Sequence, residues 1–292
     1  MFEGFTSHTV AVGNGIEIAA VVKGDGPPLL LLHGYPETHA CWRKIAPELT
    51  RRFTVVAADL RGYGASSKPP GGGDHAAYSK RAMAADQMAL MQALGFDRFR
   101  LVGHDRGGRV AHRLALDYPE AVKRLAVLDI CPTATMFAAT NQAFATAYYH
   151  WFFLIQPADL PERMIANNTH YYIRQTIASW CKTEDAFDET ILRHYVESYF
   201  DPAAIHAACE DYRAAATIDL VHDTQSDAAG AKLGMPLLAL WGARGTVGKM
   251  FDVLATWREK SESWVSGHVL DCGHFLPEEA PDATLEALLD FL

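Results

Sequence analysis

The chain has 292 residues, 49% of them hydrophobic and 21% charged, with a net charge of −9. That is the balance of a soluble globular protein with room for one α/β domain and an insertion, and the negative sign argues against nucleic acid or an anionic membrane as the main partner. The five cysteines are odd in number and show neither CxxC pairing nor metal-ligand spacing, so reduced thiols and no metal site are expected.

The opening MFEGFTSHTVAVGNG has no basic stretch followed by an apolar one, and no apolar run approaches the ~18 residues that cross a bilayer, so a cytoplasmic protein is expected. HTVAVG and IEIAAVV read as strands joined at Asn14-Gly15, a hairpin signal. Leu29 to Leu32 form a continuous apolar run, as in a central parallel strand. His33-Gly34-Tyr35-Pro36 ends it, and a helix is expected through Trp42, Ile45 and Leu49. FTVVAAD makes the next strand, and the loop that follows runs through KPPGGG. Tyr78 to Leu94 reads as a helix stopped by Gly95.

An apolar run then ends at Gly103, followed by Asp105, Gly107 and Gly108 and a helical pattern through Val110 and Leu114. Gly-x-nucleophile-x-Gly between strand and helix is the pattern of a nucleophile elbow, and the residue placed on it here is a carboxylate. A carboxylate there attacks a carbon to give an ester that must then be hydrolysed. LAVLDI, Leu125 to Ile130, is a sixth strand. From Thr133 to Lys232 aromatic-rich helical segments follow one another without a strand, and strands resume in MPLLALWG and SWVSGHVL. The expected architecture is a mostly parallel central sheet with helices on both faces. Residues 1–132 and 233–292 would form this core, and 133–232 an all-helical cap inserted after the sixth strand.

Hydrolysis of an aspartyl ester needs a base. His274, in the loop after the last strand, would meet Asp105 at the carboxyl rim of the sheet. No carboxylate follows LALWG until Asp252, whereas Asp129 stands at the end of the sixth strand. Asp129 is therefore the expected partner of the imidazole, with a turn or cap role before Pro132 as its plainer reading. Backbone N–H groups of Arg106 and Tyr35 are the expected oxyanion donors, although HGYP would serve equally as a tight turn. Arg106 and Arg109 lie on the first turn after the elbow, where guanidinium forks and a helix N-terminus favour a carboxylate ligand. Their alternative is to pair with acids of the insertion such as Glu210 or Asp211.

With HGYP, DLRGYG and Ser66, GHDRGGRVAHR, LDI, YHWFFLIQPADLPE and GHF in place, the chain resembles the fluoroacetate dehalogenases of the α/β-hydrolase superfamily nearly end to end. The resemblance implies Asp105 as nucleophile, Asp129 as acid, His274 as base, and Arg106 with Arg109 as the clamp on the substrate carboxylate. It implies His150, Trp151 and Tyr212 as donors to the departing halide, Trp180 as a pocket wall, no cofactor, and a homodimer. Fluoride is small, strongly hydrated and a poor leaving group. Imidazole, indole and phenol donors would replace its water without adding an anion. The space beside Trp180, Met136 and Phe137 would set which halide fits. Two rivals share the plan. An epoxide hydrolase would use paired tyrosines but give the arginines nothing to bind, and a small-carboxylate receptor would leave the triad idle.

Overall fold

The computed structural model describes residues 1–292. Eight strands form one sheet: β1 (Thr6–Gly13), β2 (Ile16–Lys23), β3 (Pro28–Leu32), β4 (Thr54–Ala58), β5 (Phe99–His104), β6 (Val122–Leu128), β7 (Leu237–Gly242) and β8 (Val265–Leu270). Their order is β1-β2-β4-β3-β5-β6-β7-β8. The pairs β1–β2 and β2–β4 are antiparallel and every other pair is parallel. Asn14 and Gly15 both adopt positive φ at the first hairpin, as its two-residue turn requires.

The apolar runs are continuous because both faces are covered. Leu30, Leu32, Leu101, Leu125 and Val127 point into one core, while Leu29, Leu31, Val102, Ala126 and Leu128 point into the other. The two-residue strand period thus divides each run between two helix layers.

Two local expectations are corrected. The helix expected through Leu49 is a 3₁₀ segment, His39–Lys44, followed by a single turn, Ala46–Leu49. Pro47 lacks the N–H that would bond back to Arg43, so one continuous helix cannot form. The sixth strand stops at Leu128, because Asp129 turns to φ +53°. Between β6 and β7 there are only helices, from Thr133–Ala138 to Ile218–Ala228. No helix is long and apolar enough to cross a membrane.

Strand order positions the chemistry. β3 lies directly beside β5, so the HGYP loop abuts the elbow, and β6, β7 and β8 follow outward from β5. Loops leaving these strands share one rim of the sheet, where ligand sites of open α/β sheets form.

Candidate active site

Asp105 opens the helix Asp105–Asp117 at φ +43°, a strained conformation for a side chain other than glycine. The elbow needs small neighbours. A Cβ on Gly107 would lie 2.4 Å from the carbonyl oxygens of Leu32 and His33, and one on Gly34 would lie 2.6 Å from Asp105 Cβ. The Asp105 carboxylate is buried, and Tyr35 N–H donates to its Oδ2 at 2.9 Å. Arg106 N–H stands in the first helical turn, where intrahelical acceptors are lacking. Burial pushes the Asp105 carboxyl up, but His274, Arg106, His104 and Arg109 outweigh it and hold the group below its ordinary range.

His274 Nδ1–H donates to Asp129 Oδ2 at 2.7 Å, while Asp129 Oδ1 accepts from Gly242 N–H at 3.0 Å. Asp129 is held by the neighbouring strand, and His274 presents a buried Nε2 with no partner in the protein. Behind it, His104 donates from Nε2 to the His274 carbonyl at 2.8 Å and from Nδ1 to Glu37 at 3.1 Å. Burial pulls His104 down, yet Glu37 and Asp105 raise it to about 9, so the ring carries both protons. The same loop is tied to the helical insertion. His274 N–H reaches the Trp180 carbonyl at 3.3 Å, and Glu279 collects the N–H groups of Lys182, Gly273 and Phe275.

The arginines differ from the expected pair of free forks. Arg106 spends Nε and Nη2 on Asp211, at 3.0 and 2.7 Å, and keeps only Nη1 unpartnered. Arg109 has no carboxylate within 4 Å. It donates to Thr133 Oγ1 at 2.9 Å and the Cys131 carbonyl at 3.3 Å, lies 3.2 Å from Met136 Sδ, and leaves Nε unpartnered. Pairing with an acid of the insertion therefore holds for Arg106 with Asp211 and not for Arg109, while Glu210 pairs with Arg213 and His75.

His150 and Trp151 come from the helix Tyr149–Leu154, and Tyr212 from Pro202–Ala216. The rings of His150 and Tyr212 lie 5.7 Å apart, and Trp180 packs 4.5 Å from His150 and 5.4 Å from His274. The Phe137 ring packs, tilted, 4.8 Å from that of Trp151. Arg106 lies over the Tyr212 ring at 4.2 Å and Arg109 over Trp151 at 4.8 Å. His150 Nδ1 and the Tyr212 hydroxyl are buried without partners. Burial lowers His150 to about 3 and raises Tyr212, so both are neutral.

A cavity of about 380 Å³ opens onto Asp105, His150, Trp151, Trp180 and His274. Lys182, Arg244 and Lys249 stand along its lining, which does not include Tyr35, Arg106, Arg109 or Tyr212. His104, Glu37, Lys182, Arg244 and Lys249 were not singled out in sequence: His104 stands inside GHDRGG with nothing to mark its role, and the other four lie in no motif.

A buried carboxylate on an elbow, a His–Asp pair on the following strands and a helical insertion above them together define a hydrolase of the α/β type. The profile of the alpha/beta hydrolase fold matches residues 27–281, and the chain belongs to that family. Among relatives, a fluoroacetate dehalogenase from Burkholderia sp is 46% identical over 293 residues, covering 100% of this chain and 95% of that one. A soluble epoxide hydrolase from Corynebacterium sp. (strain C12) is 35% identical, covering 98% and 96%. A solved structure from Nostoc sp PCC 7120, whose assignment stops at α/β hydrolase, superposes with a TM-score of 0.97 at 55% identity, covering 100% and 99%.

Proposed function

We propose that the protein is a hydrolytic dehalogenase of short 2-haloacids, converting fluoroacetate and water to glycolate and fluoride through an ester on Asp105. The observation that carries this reading is a convergence of buried, unpartnered donors around one ionised carboxylate: Arg106 Nη1, Arg109 Nε, His150 Nδ1 and the Tyr212 hydroxyl. Leaving such groups unpaired costs stability, and an acid with a departing halide would satisfy them all. The relation to the Burkholderia enzyme supports the same substrate class.

In this scheme Arg106 Nη1 and Arg109 Nε hold the substrate carboxylate. With Oδ2 engaged by Tyr35 N–H, Asp105 Oδ1 attacks Cα from the side opposite the halide. The C–X bond breaks, and its electron pair leaves with the halide toward His150, Trp151 and Tyr212. His274 Nε2 then takes a proton from water as its oxygen adds to the ester carbonyl carbon. The resulting oxyanion at Oδ2 meets the N–H groups of Tyr35 and Arg106. Collapse breaks the bond between the Asp105 carbon and Oδ1, and glycolate leaves with Oδ1 and the proton from His274. The scheme calls on the protein's own side-chain and backbone groups and on water. Residues 1–132 and 233–292 act as the core and 133–232 as the cap.

Single turnover with enzyme in excess in heavy-oxygen water tests it. The first glycolate carries no label, because its new oxygen comes from Asp105, and labelled first-turnover product would refute the ester. An epoxide hydrolase would instead form diol from styrene oxide, and a receptor would bind fluoroacetate without releasing fluoride. Fluoride release that disappears in Asp105→Asn favours the proposed reading over both.

A further inference from the structure

Arg106 raises a problem of charge. Its guanidinium is fully buried and bidentate on a buried carboxylate, Asp211, which also accepts from Tyr63 at 2.6 Å. An arginine paired in this way with one aspartate has little net field left for a third, anionic group. Yet the proposed substrate is an anion, and the protein as a whole repels it at a net charge of −9.

The same carboxylate has a second cation. Lys80, the first residue of the helix Lys80–Ala93, is buried and places its ammonium on Asp211 Oδ1. Lys80 is held there by Asp219, whose Oδ1 accepts the Lys80 backbone N–H at 2.8 Å and whose Oδ2 lies 3.6 Å from Nζ. Asp219 is thus supported by a helix N-terminus, where backbone N–H groups favour a negative charge. That leaves the lysine ammonium for Asp211. Four charged groups from four helices form one line: Asp219, Lys80, Asp211, Arg106.

We propose that Lys80 is a positioning residue that sets the specificity for anionic substrates. It takes up part of the Asp211 charge, so that Asp211 fixes the Arg106 guanidinium without cancelling it, and Nη1 faces the substrate with a positive field. Asp211 supplies geometry, Lys80 supplies the compensating charge, and Asp219 holds Lys80. The inference rests on the carboxylate clamp proposed above. It adds that the strength of the clamp is set one residue further out, by a side chain with no access to the substrate.

The test separates charge from packing. Lys80→Met/Asp219→Asn removes one charge of each sign and keeps the total unchanged, whereas Lys80→Arg keeps the cation in a different shape. Acetate, an unreactive carboxylate, is the calorimetric ligand, and fluoroacetate kinetics and thermal unfolding are run alongside. The expected result is acetate binding about tenfold weaker in the double variant, with KM raised similarly and kcat within about threefold, while Lys80→Arg stays near wild type. Should that double variant fail to fold, Lys80→Gln/Asp219→Asn, which keeps a donor to Asp211 and the same total charge, carries the same comparison. Unchanged acetate affinity in a folded variant lacking the Lys80 charge overturns the inference. So does an equal loss in Lys80→Arg, which would mark a packing effect. Wild-type protein that does not bind acetate would instead overturn the carboxylate clamp itself.

Discussion

Removing one oxygen atom from Tyr212 should make the protein more stable and the enzyme much worse. The phenol is 2% exposed, its hydroxyl has no hydrogen-bond partner, and Arg106 lies over its ring. In Tyr212→Phe the ring and the stacked guanidinium stay, and an unsatisfied buried hydroxyl disappears. Such a group costs about 1–3 kcal/mol, so Tm should rise by roughly 2–6 °C for a chain of this size. The rate moves the other way. A donor aimed at charge that develops in the transition state is worth about 100-fold or more when deleted, so fluoride release should fall by about that factor. Chloroacetate should lose less, because chloride leaves more readily and needs less replacement of its water. Calorimetry and halide-selective electrodes read both quantities on the same samples. A variant that is less stable than wild type, or that releases fluoride at the wild-type rate, would refute the claim that this hydroxyl is held unpaired for the halide.

His274→Asn should trap the ester, seen as a mass increase on the Asp105 peptide after incubation with chloroacetate; turnover without adduct would remove His274 as the base. Gly34→Ala should abolish activity while the protein still folds, since the new Cβ would lie 2.6 Å from Asp105 Cβ; a fully active variant would contradict the packing at the elbow. The ammonium groups of Lys182 and Lys249, at the cavity lining, have no carboxylate within 4 Å. Lys182→Gln/Lys249→Gln should therefore lower kcat/KM for fluoroacetate a few-fold at low salt, and the gap should close near ~0.5 M salt, where screening is strong. Burial lowers His112 from 6.5 to about 3. The unfolded chain takes up this proton below pH 6.5 and the folded one does not, so the stability concerned is complete above 6.5 and is lost as pH falls toward 3. By pH 5 the loss amounts to about 2 kcal/mol, and urea unfolding of His112→Gln should show a pH slope shallower by one proton than wild type.

The elbow was legible because its constraint is steric and local: glycines on both sides of Asp105 leave room for nothing else. The sheet was legible because burial on both faces writes continuous apolar runs into β3, β4 and β5. Asp129 could be placed by elimination, since the loop after β7 carries no acid until residue 252. Tyr212 could not be chosen among 11 tyrosines without the family resemblance. For Arg106, pairing with Asp211 was legible only as one alternative to a free fork. Its partner Asp211 is 105 residues away, and their pairing depends on how a helix of the insertion docks on the elbow. His104 and Glu37 are similar, joined only because β3 and β5 are neighbours. Long-range polar pairing leaves no periodic trace, whereas packing does.

The strap between the insertion and the His274 loop is built from main-chain groups: a carbonyl at Trp180, an N–H at Lys182 and the N–H groups on either side of His274, gathered by Glu279. Side chains at 180 and 182 can therefore change without loosening it, proline at 182 excepted. Lineages descending from such a chain are free to reshape the cavity lining at Trp180 and the charge at Lys182 while His274 stays where it is. Substrate preference can drift by single substitutions at these positions, whereas exchanging whole insertions between relatives succeeds only if the backbone path across 180–182 is preserved.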